Sequence, residues 1–259
     1  MAEETQYTAN TGMQSISTAN SNLDGTGTLS SAIITGASNG TLIKTVTVKA
    51  SVNTTQGMVR LFVYDGTNTK LISEIEIPAV TKDAGSPAFE IKVPVDYALK
   101  SGWSLKASTE NAETFNVIAE GLDWIYYTTS VRPESSKYTA NTGMQTVSTA
   151  NTNLDGSGTL SSAIVTGASN GTQIQSVTIK AQVTTTEGMV RLFLYDGTNT
   201  KLLTEVPVHA VTKSASAHSF SSRVDLNFAL KSGWSLKAST EKGESFNVIA
   251  EGLDWTYPA

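Results

Sequence analysis

The chain carries the same sequence twice, and this limits what it can fold into more than any other feature. Residues 7–126 recur as residues 138–257 at constant register, with no insertion or deletion between them. Roughly 70% of the aligned positions are identical, more than drifting repeat arrays usually retain. Thus Tyr7-Thr8-Ala9-Asn10-Thr11-Gly12-Met13-Gln14 matches Tyr138-Thr139-Ala140-Asn141-Thr142-Gly143-Met144-Gln145, and Gly121-Leu122-Asp123-Trp124 matches Gly252-Leu253-Asp254-Trp255. A whole folding unit of about 120 residues has been duplicated, a size that buries a core without metals or disulfides. Two domains follow, over 1–127 and 138–259. The polar, Pro-containing stretch 128–137 has no counterpart and reads as a linker that would span roughly 30 Å when extended.

Strand signals dominate each copy. Val46, Val48, Ala50 and Val52 alternate with polar residues, the period of a half-buried strand. Gly57–Tyr64 and Lys70–Ile77 flank Asp65-Gly66-Thr67-Asn68, which reads as a hairpin. Further strands are expected at Ser30–Gly36, Ala88–Val95, Trp103–Thr109 and Thr114–Tyr126, with another near Met13–Thr18. Turn clusters such as Asp24-Gly25-Thr26-Gly27 and Ala37-Ser38-Asn39-Gly40 separate them. About eight short strands per copy predict an all-β chain of two tandem antiparallel β-sandwiches, jelly-roll-like in topology, with an immunoglobulin-like order as the competitor.

Composition closes off several functions. The net charge is −5, only 16% of residues are charged and no Lys/Arg cluster exists, so nucleic acid is not an expected partner. The start, Met1-Ala2-Glu3-Glu4-Thr5, has neither a basic nor an apolar signal region, and no apolar run nears the roughly 20 residues that cross a bilayer. The protein is therefore expected to avoid membranes and to stay where it is made. With no cysteine, disulfides and thiolate metal sites are ruled out.

Catalytic patterns are weak. His209 and His218 occur only in the second copy, opposite Pro78 and Pro87, and read as loop residues. Glu110, Glu113, Glu120 and Asp123 recur as Glu241, Glu244, Glu251 and Asp254. Paired carboxylates can hydrolyse glycosides when they face each other across a cleft, but scattered acids at strand ends are usually solvated. Asp24-Gly25 and Asp65-Gly66 could offer oxygens to Ca²⁺, yet turn chemistry explains them without an ion. The chain is read as non-enzymatic, with no cofactor and no metal.

Surface candidates are more telling. Arg60 and Arg191 alternate with Phe62 and Tyr64, and with Phe193 and Tyr195, while Val59, Leu61 and Val63 point the other way. Such a strand needs a cover on both sides, and a partner lobe or subunit is the expected second cover, with Arg60 paired to a carboxylate. Trp103 shares a face with Leu105 and Ala107 and reads as core. Trp124 and Trp255 end a strand and could cap the sandwich or pack on a neighbour. The copies differ most over 83–97 against 214–228. There Phe89, Val93, Val95 and Tyr97 keep apolar partners, whereas Glu90, Lys92, Pro94 and Asp96 become Ser221, Arg223, Asp225 and Asn227. Ile91 against Ser222 breaks the rule. Pro94 places this strand at a sheet edge, and its rewritten outer face reads either as different neighbours for the two lobes or as neutral drift on an exposed edge. The expected interface set is Arg60, Phe62, Tyr64, Trp124, Arg191, Phe193, Tyr195, Trp255, Glu90, Lys92 and Arg223.

The segments Gly57–Thr69, Leu99–Thr109 and Phe115–Gly121, repeated at Gly188–Thr200, Leu230–Thr240 and Phe246–Gly252, resemble small β-sandwich structural proteins encoded by tailed bacteriophages. That resemblance implies a virion protein assembled in the host cytoplasm, which decorates or cements a capsid shell or forms a minor capsid or tail part. Its partners would be the major capsid or another virion protein and copies of itself, a homotrimer before a homodimer. It supplies no catalytic residue. The alternative is a carbohydrate-binding module of a tail fibre or cell-surface adhesin, reading glycans through Trp and Tyr.

Overall fold

The computed structural model describes residues 6–125, 137–213 and 219–256. The first lobe contains β1 (Gln6–Ile16), β2 (Ile34–Thr35), β3 (Thr41–Ala50), β4 (Gly57–Tyr64), β5 (Thr69–Ile77), β6 (Glu90–Leu99), β7 (Ser104–Thr109) and β8 (Phe115–Ile125). The second repeats them as β9 (Lys137–Val147), β10 (Val165–Thr166), β11 (Thr172–Ala181), β12 (Gly188–Tyr195), β13 (Thr200–Val208), β14 (Ser221–Leu230), β15 (Ser235–Thr240) and β16 (Phe246–Thr256).

Strand order settles the topology. One sheet of the first lobe runs β1-β8-β3-β6 and the other β2-β7-β4-β5, with every pairing antiparallel. The pairs β1–β8, β2–β7, β3–β6 and β4–β5 are those of one long hairpin rolled on itself, which is a jelly roll and not an immunoglobulin order. The second lobe repeats it as β14-β11-β16-β9 and β10-β15-β12-β13. Each lobe is therefore an antiparallel jelly-roll sandwich.

Period-two alternation builds each core. Val46 and Val48 of β3, Val59, Leu61 and Val63 of β4, Leu105 and Ala107 of β7, and Phe115, Val117 and Ala119 of β8 form one buried cluster between the first lobe's sheets. Val177, Ile179, Val190, Leu192, Leu236 and Val248 are likewise buried in the second.

Three local expectations change. Ser30–Gly36 is not a continuous strand. It touches β7 through Ser30 N–H to Ala107 O, Ile33 N–H to Leu105 O and Gly36 N–H to Trp103 O, and only Ile34–Thr35 forms regular ladder. The strand near Met13 begins at Gln6, seven residues earlier than the apolar pattern suggested. Its inward positions Asn10 and Gly12 hide it from a hydrophobic scan: a Cβ at Gly12 would lie 1.6 Å from Ile33 O, so only glycine lets β1 approach this closely. Lys137, assigned by sequence to the linker, starts β9. The rest of that linker, and His218, lie outside the described residues.

Candidate functional site

The buried arginine is the first place to look for chemistry. Arg60 and Phe62 point away from the core, yet both are buried. Arg60 lies against the lobe's own β1–β2 loop. Asn20 N–H donates to Thr109 O, the Asn20 side-chain amide holds Thr26 O and Thr28 O at 2.9 Å each, and Gly25 packs against Thr69 of β5. The loop thus crosses the outer surface of the β4 sheet. Arg60 fastens it from beneath, with Nη1 donating to Asn20 O at 3.4 Å, Nε to Glu74 Oε1 at 2.9 Å and Nη2 lying 3.5 Å from Glu110. Arg191 repeats this with Asn151 O at 3.1 Å, Glu205 at 3.0 Å and Glu241 at 3.8 Å. Beneath the second lobe's loop, Leu154, Phe193 and Leu202 form a small cluster with Leu160 against it.

The expected carboxylate partner is therefore present, and at Arg60, Arg191 and Phe193 the lobe's own loop supplies part of the cover. The sixteen-residue turn region 17–32 is rich in Ser, Thr, Asn and Gly, and its two leucines, Leu23 and Leu29, are too few to make a periodic apolar pattern. Tyr64 and Tyr195 lie farther along the same face, half-buried, with Lys106 Nζ 4.2 Å and Lys237 Nζ 4.0 Å from the ring centres.

The repeated acids are dispersed. Asp123 faces inward and joins a hydrogen-bonded knot: Asn10 Nδ2 donates to Asp123 Oδ1 at 2.8 Å and to Thr35 O at 3.1 Å, and the Thr41 hydroxyl donates to the same Asp123 oxygen. Asn141, Thr172 and Asp254 rebuild it. Glu120 lies three residues earlier on the opposite face, receiving Lys92 Nζ at 2.6 Å and the Thr45 hydroxyl at 2.9 Å. Glu113 caps the backbone N–H and hydroxyl of Thr55. Glu120 and Asp123 thus project from opposite faces of β8 and do not form a facing carboxylate pair. Among the described residues, no group of three or more His, Asp or Glu side chains could hold a metal ion.

Trp103 precedes β7, half-buried and packed against the core, with Lys100 Nζ 5.4 Å from its ring centre. Trp124 is half-buried opposite Tyr7. Its ring lies over Gly40, where a Cβ would come within 2.8 Å of it, and Gly40 also has φ +96°. Exposed His209 stacks edge-on against Phe220 at 6.3 Å.

The rewritten strand is an edge, as Pro94 required: β6 and β14 each end a sheet. Glu90, Lys92, Pro94 and Asp96, like Ser221, Arg223, Asp225 and Asn227, are exposed. One exchange there is constrained. Asp96 and Asn227 have φ of +43° and +44°, at a bulge where β3 and β11 shift register, and Asp and Asn are the side chains that best tolerate this region. Ile91 also acquires a reason. It lines a cleft of about 620 Å³ between edge strands β5 and β6, with Ile75, Pro78, Phe89 and Val93 and with Glu74 and Glu76. At such a half-buried mouth an inward position accepts either isoleucine or the serine of the other copy.

No family model matches the chain, and no curated protein matches it. Among solved structures it is similar to the N-terminal CBM22-1–CBM22-2 tandem domain of Paenibacillus barcinonensis Xyn10C, at 8% identity over 99% of this chain and 94% of that one, with a TM-score of 0.27. It is also similar to the major capsid protein P2 of bacteriophage PM2, at 12% identity over 95% and 98% of the two chains, with a TM-score of 0.21. At such scores neither likeness adds to the strand order above, and the functional argument rests on the chain itself.

Proposed function

We propose that this is a non-enzymatic structural protein of a tailed-phage virion, which decorates or cements the shell as a capsid-associated component. The observation that carries the reading is a duplicated jelly roll whose inward half stays largely apolar while the outward face of one edge strand is rewritten. Catalysis would hold an outward site constant between copies; adhesion to unlike neighbours would not. The dispersed carboxylates support the same reading, since each recurring acid serves a hydrogen-bonded anchor or ion pair of the lobe.

The mechanism is two-point attachment. Once one lobe binds a repeated site, the linker converts the second contact into an intramolecular one, which can raise avidity by about 10²–10⁴ over either contact alone. The outward candidates are Glu90, Lys92 and Arg223 on the edge strands, with the half-buried Tyr64, Tyr195, Trp124 and Trp255.

Imaging purified particles, together with co-sedimentation of the chain with emptied shells, tests the reading. Shell-bound density and a loss of at least about tenfold in retention after cleavage near Pro133 are expected. Specific glycan binding abolished by Trp124→Ala, with no shell binding, would replace it with a carbohydrate-recognition module.

A further inference from the structure

Ser108 and Ser239 hold the same position in the two lobes. Each is 1% exposed, and the hydroxyl of each finds no hydrogen-bond partner within the chain. Among the described residues, no other buried side-chain oxygen is left unpartnered in both copies. Burying a hydroxyl without a partner costs stability, and alanine at the same place would avoid that cost. A serine kept twice in such surroundings needs something to bond.

The second lobe shows what stands around it. Ser239 on β15 lies opposite Arg191 of β12, so both side chains stand on the outward face, beneath the β9–β10 loop. That loop is fastened to β15 on either side of Ser239. Asn151 N–H donates to Thr240 O at 2.8 Å, Ser161 N–H donates to Ala238 O at 2.8 Å, and Ser161 Oγ accepts from Ala238 N–H at 2.9 Å. The Asn151 amide ties the two legs together, donating to Ser157 O and Thr159 O at 2.9 Å each. A pocket of about 80 Å³ opens beside Ser239, its wall mostly of hydroxyl residues: Thr146, Ser148, Thr149, Thr159, Ser161 and Ser239 itself. The first lobe repeats the frame around Ser108. There Asn20 N–H donates to Thr109 O at 2.7 Å, Ser30 N–H to Ala107 O at 2.8 Å, and Ala107 N–H to Ser30 Oγ at 2.9 Å.

We propose that this slot is a binding site for ordered water, which bonds the Ser239 hydroxyl to the loop above it and so gives the loop a third fastening to the sheet. Liquid water takes about 30 Å³ per molecule and a held molecule wants 2–4 polar partners, so both the size and the wall of the slot fit one or two waters. One serine oxygen can serve both, because it donates once and accepts twice. No charged side chain lines the slot, so a bound ion would have nothing to neutralise it. The site serves the lobe itself and stands whether or not the chain belongs to a virion.

A high-resolution crystal structure of the full chain tests this. It should show solvent density about 2.7–3.0 Å from Ser239 Oγ and within the same reach of a loop atom, with a twin at Ser108. A slot without such density, or a Ser239 hydroxyl turned onto a backbone carbonyl instead, overturns the proposal. Amide hydrogen exchange gives a second reading in solution. Ser239→Ala removes the bonds to water, so the Asn151 and Ser161 N–H groups that hold the loop should exchange about threefold faster or more. Exchange that is unchanged or slower is what a dry hydroxyl would give, and it would overturn the proposal as well.

Discussion

Arg60–Glu74 and Arg191–Glu205 are the same ion pair in two lobes, at 2.9 and 3.0 Å, with the same cross-strand register. They differ in surroundings, since Glu74 keeps 41% of its side-chain surface and Glu205 only 2%. A contact list would score them alike. Coulomb attraction and desolvation both grow as water leaves, so removing one partner costs far more where the other stays buried. The pairs thus teach that duplication can copy a contact without copying its environment.

Breaking that comparison gives the largest expected effect. Arg191→Ala takes the cation away from buried Glu205 and from Glu241 and should destabilise by about 3–5 kcal/mol. Arg60→Ala leaves a carboxylate that water can reach, so the expected loss is about 1–2 kcal/mol, chiefly the Asn20 hydrogen bond and packing. Denaturant unfolding of the full chain measures both, fitted with separate transitions where the lobes unfold independently. Equal losses would mean that the burial difference does not persist in solution.

A position at which the lobes should agree sharpens the contrast. Asn10→Ala and Asn141→Ala each remove the amide that holds the inward Asp123 or Asp254. Both should cost about 1–3 kcal/mol, and equally, because the knot is built from the same donors and acceptors in each lobe. A discrepancy above about 1 kcal/mol would show that the inner faces are not equivalent after all.

The smallest effect is acid sensitivity. Hydrogen bonds from the Thr26 hydroxyl and N–H hold Asp24 below its ordinary 3.8, and the N–H groups of Asn68 and Thr67 do the same for Asp65. Asp155 is lowered chiefly by the Ser157 hydroxyl. At Asp196 burial pushes upward, but the Asn199 and Thr198 donors prevail. A folded pKa below the unfolded value means that the unfolded chain binds protons first as pH falls. This stability is fully present above about pH 4 and drains away as pH drops through the folded values. Melting temperature should therefore decline below about pH 4. Asp65→Asn should flatten the decline slightly, and an unchanged slope would remove these turns from the account.

The duplication, the strand count and the inward residues of β3, β4, β7 and β8 were legible because they are repeated or alternate. Pro94 announced its edge because a missing N–H has one simple consequence. The lid over Arg60 was not legible: its two leucines, Leu23 and Leu29, make no periodic pattern, and it is held through backbone geometry and the Asn20 amide, which no hydropathy pattern records. The N-terminal half of β1 was hidden for the same reason, since Asn10 and Gly12 occupy inward positions by hydrogen bonding and by absence of a side chain. The scattered acids could be named from sequence. Their spacing in the expected strand Thr114–Tyr126 already set Glu120 and Asp123 on opposite faces; only the fold showed what each one binds.

Because β1 and β8 lie side by side, with Gln6 opposite Ile125 and, in the other copy, Lys137 opposite Thr256, each lobe takes in its chain and releases it at one end. A gene fusion can therefore append a further lobe without threading polypeptide across a finished one. By that logic a three-lobe descendant needs only another short connector, and evolution could lengthen this chain in whole modules with no redesign of what lies inside them.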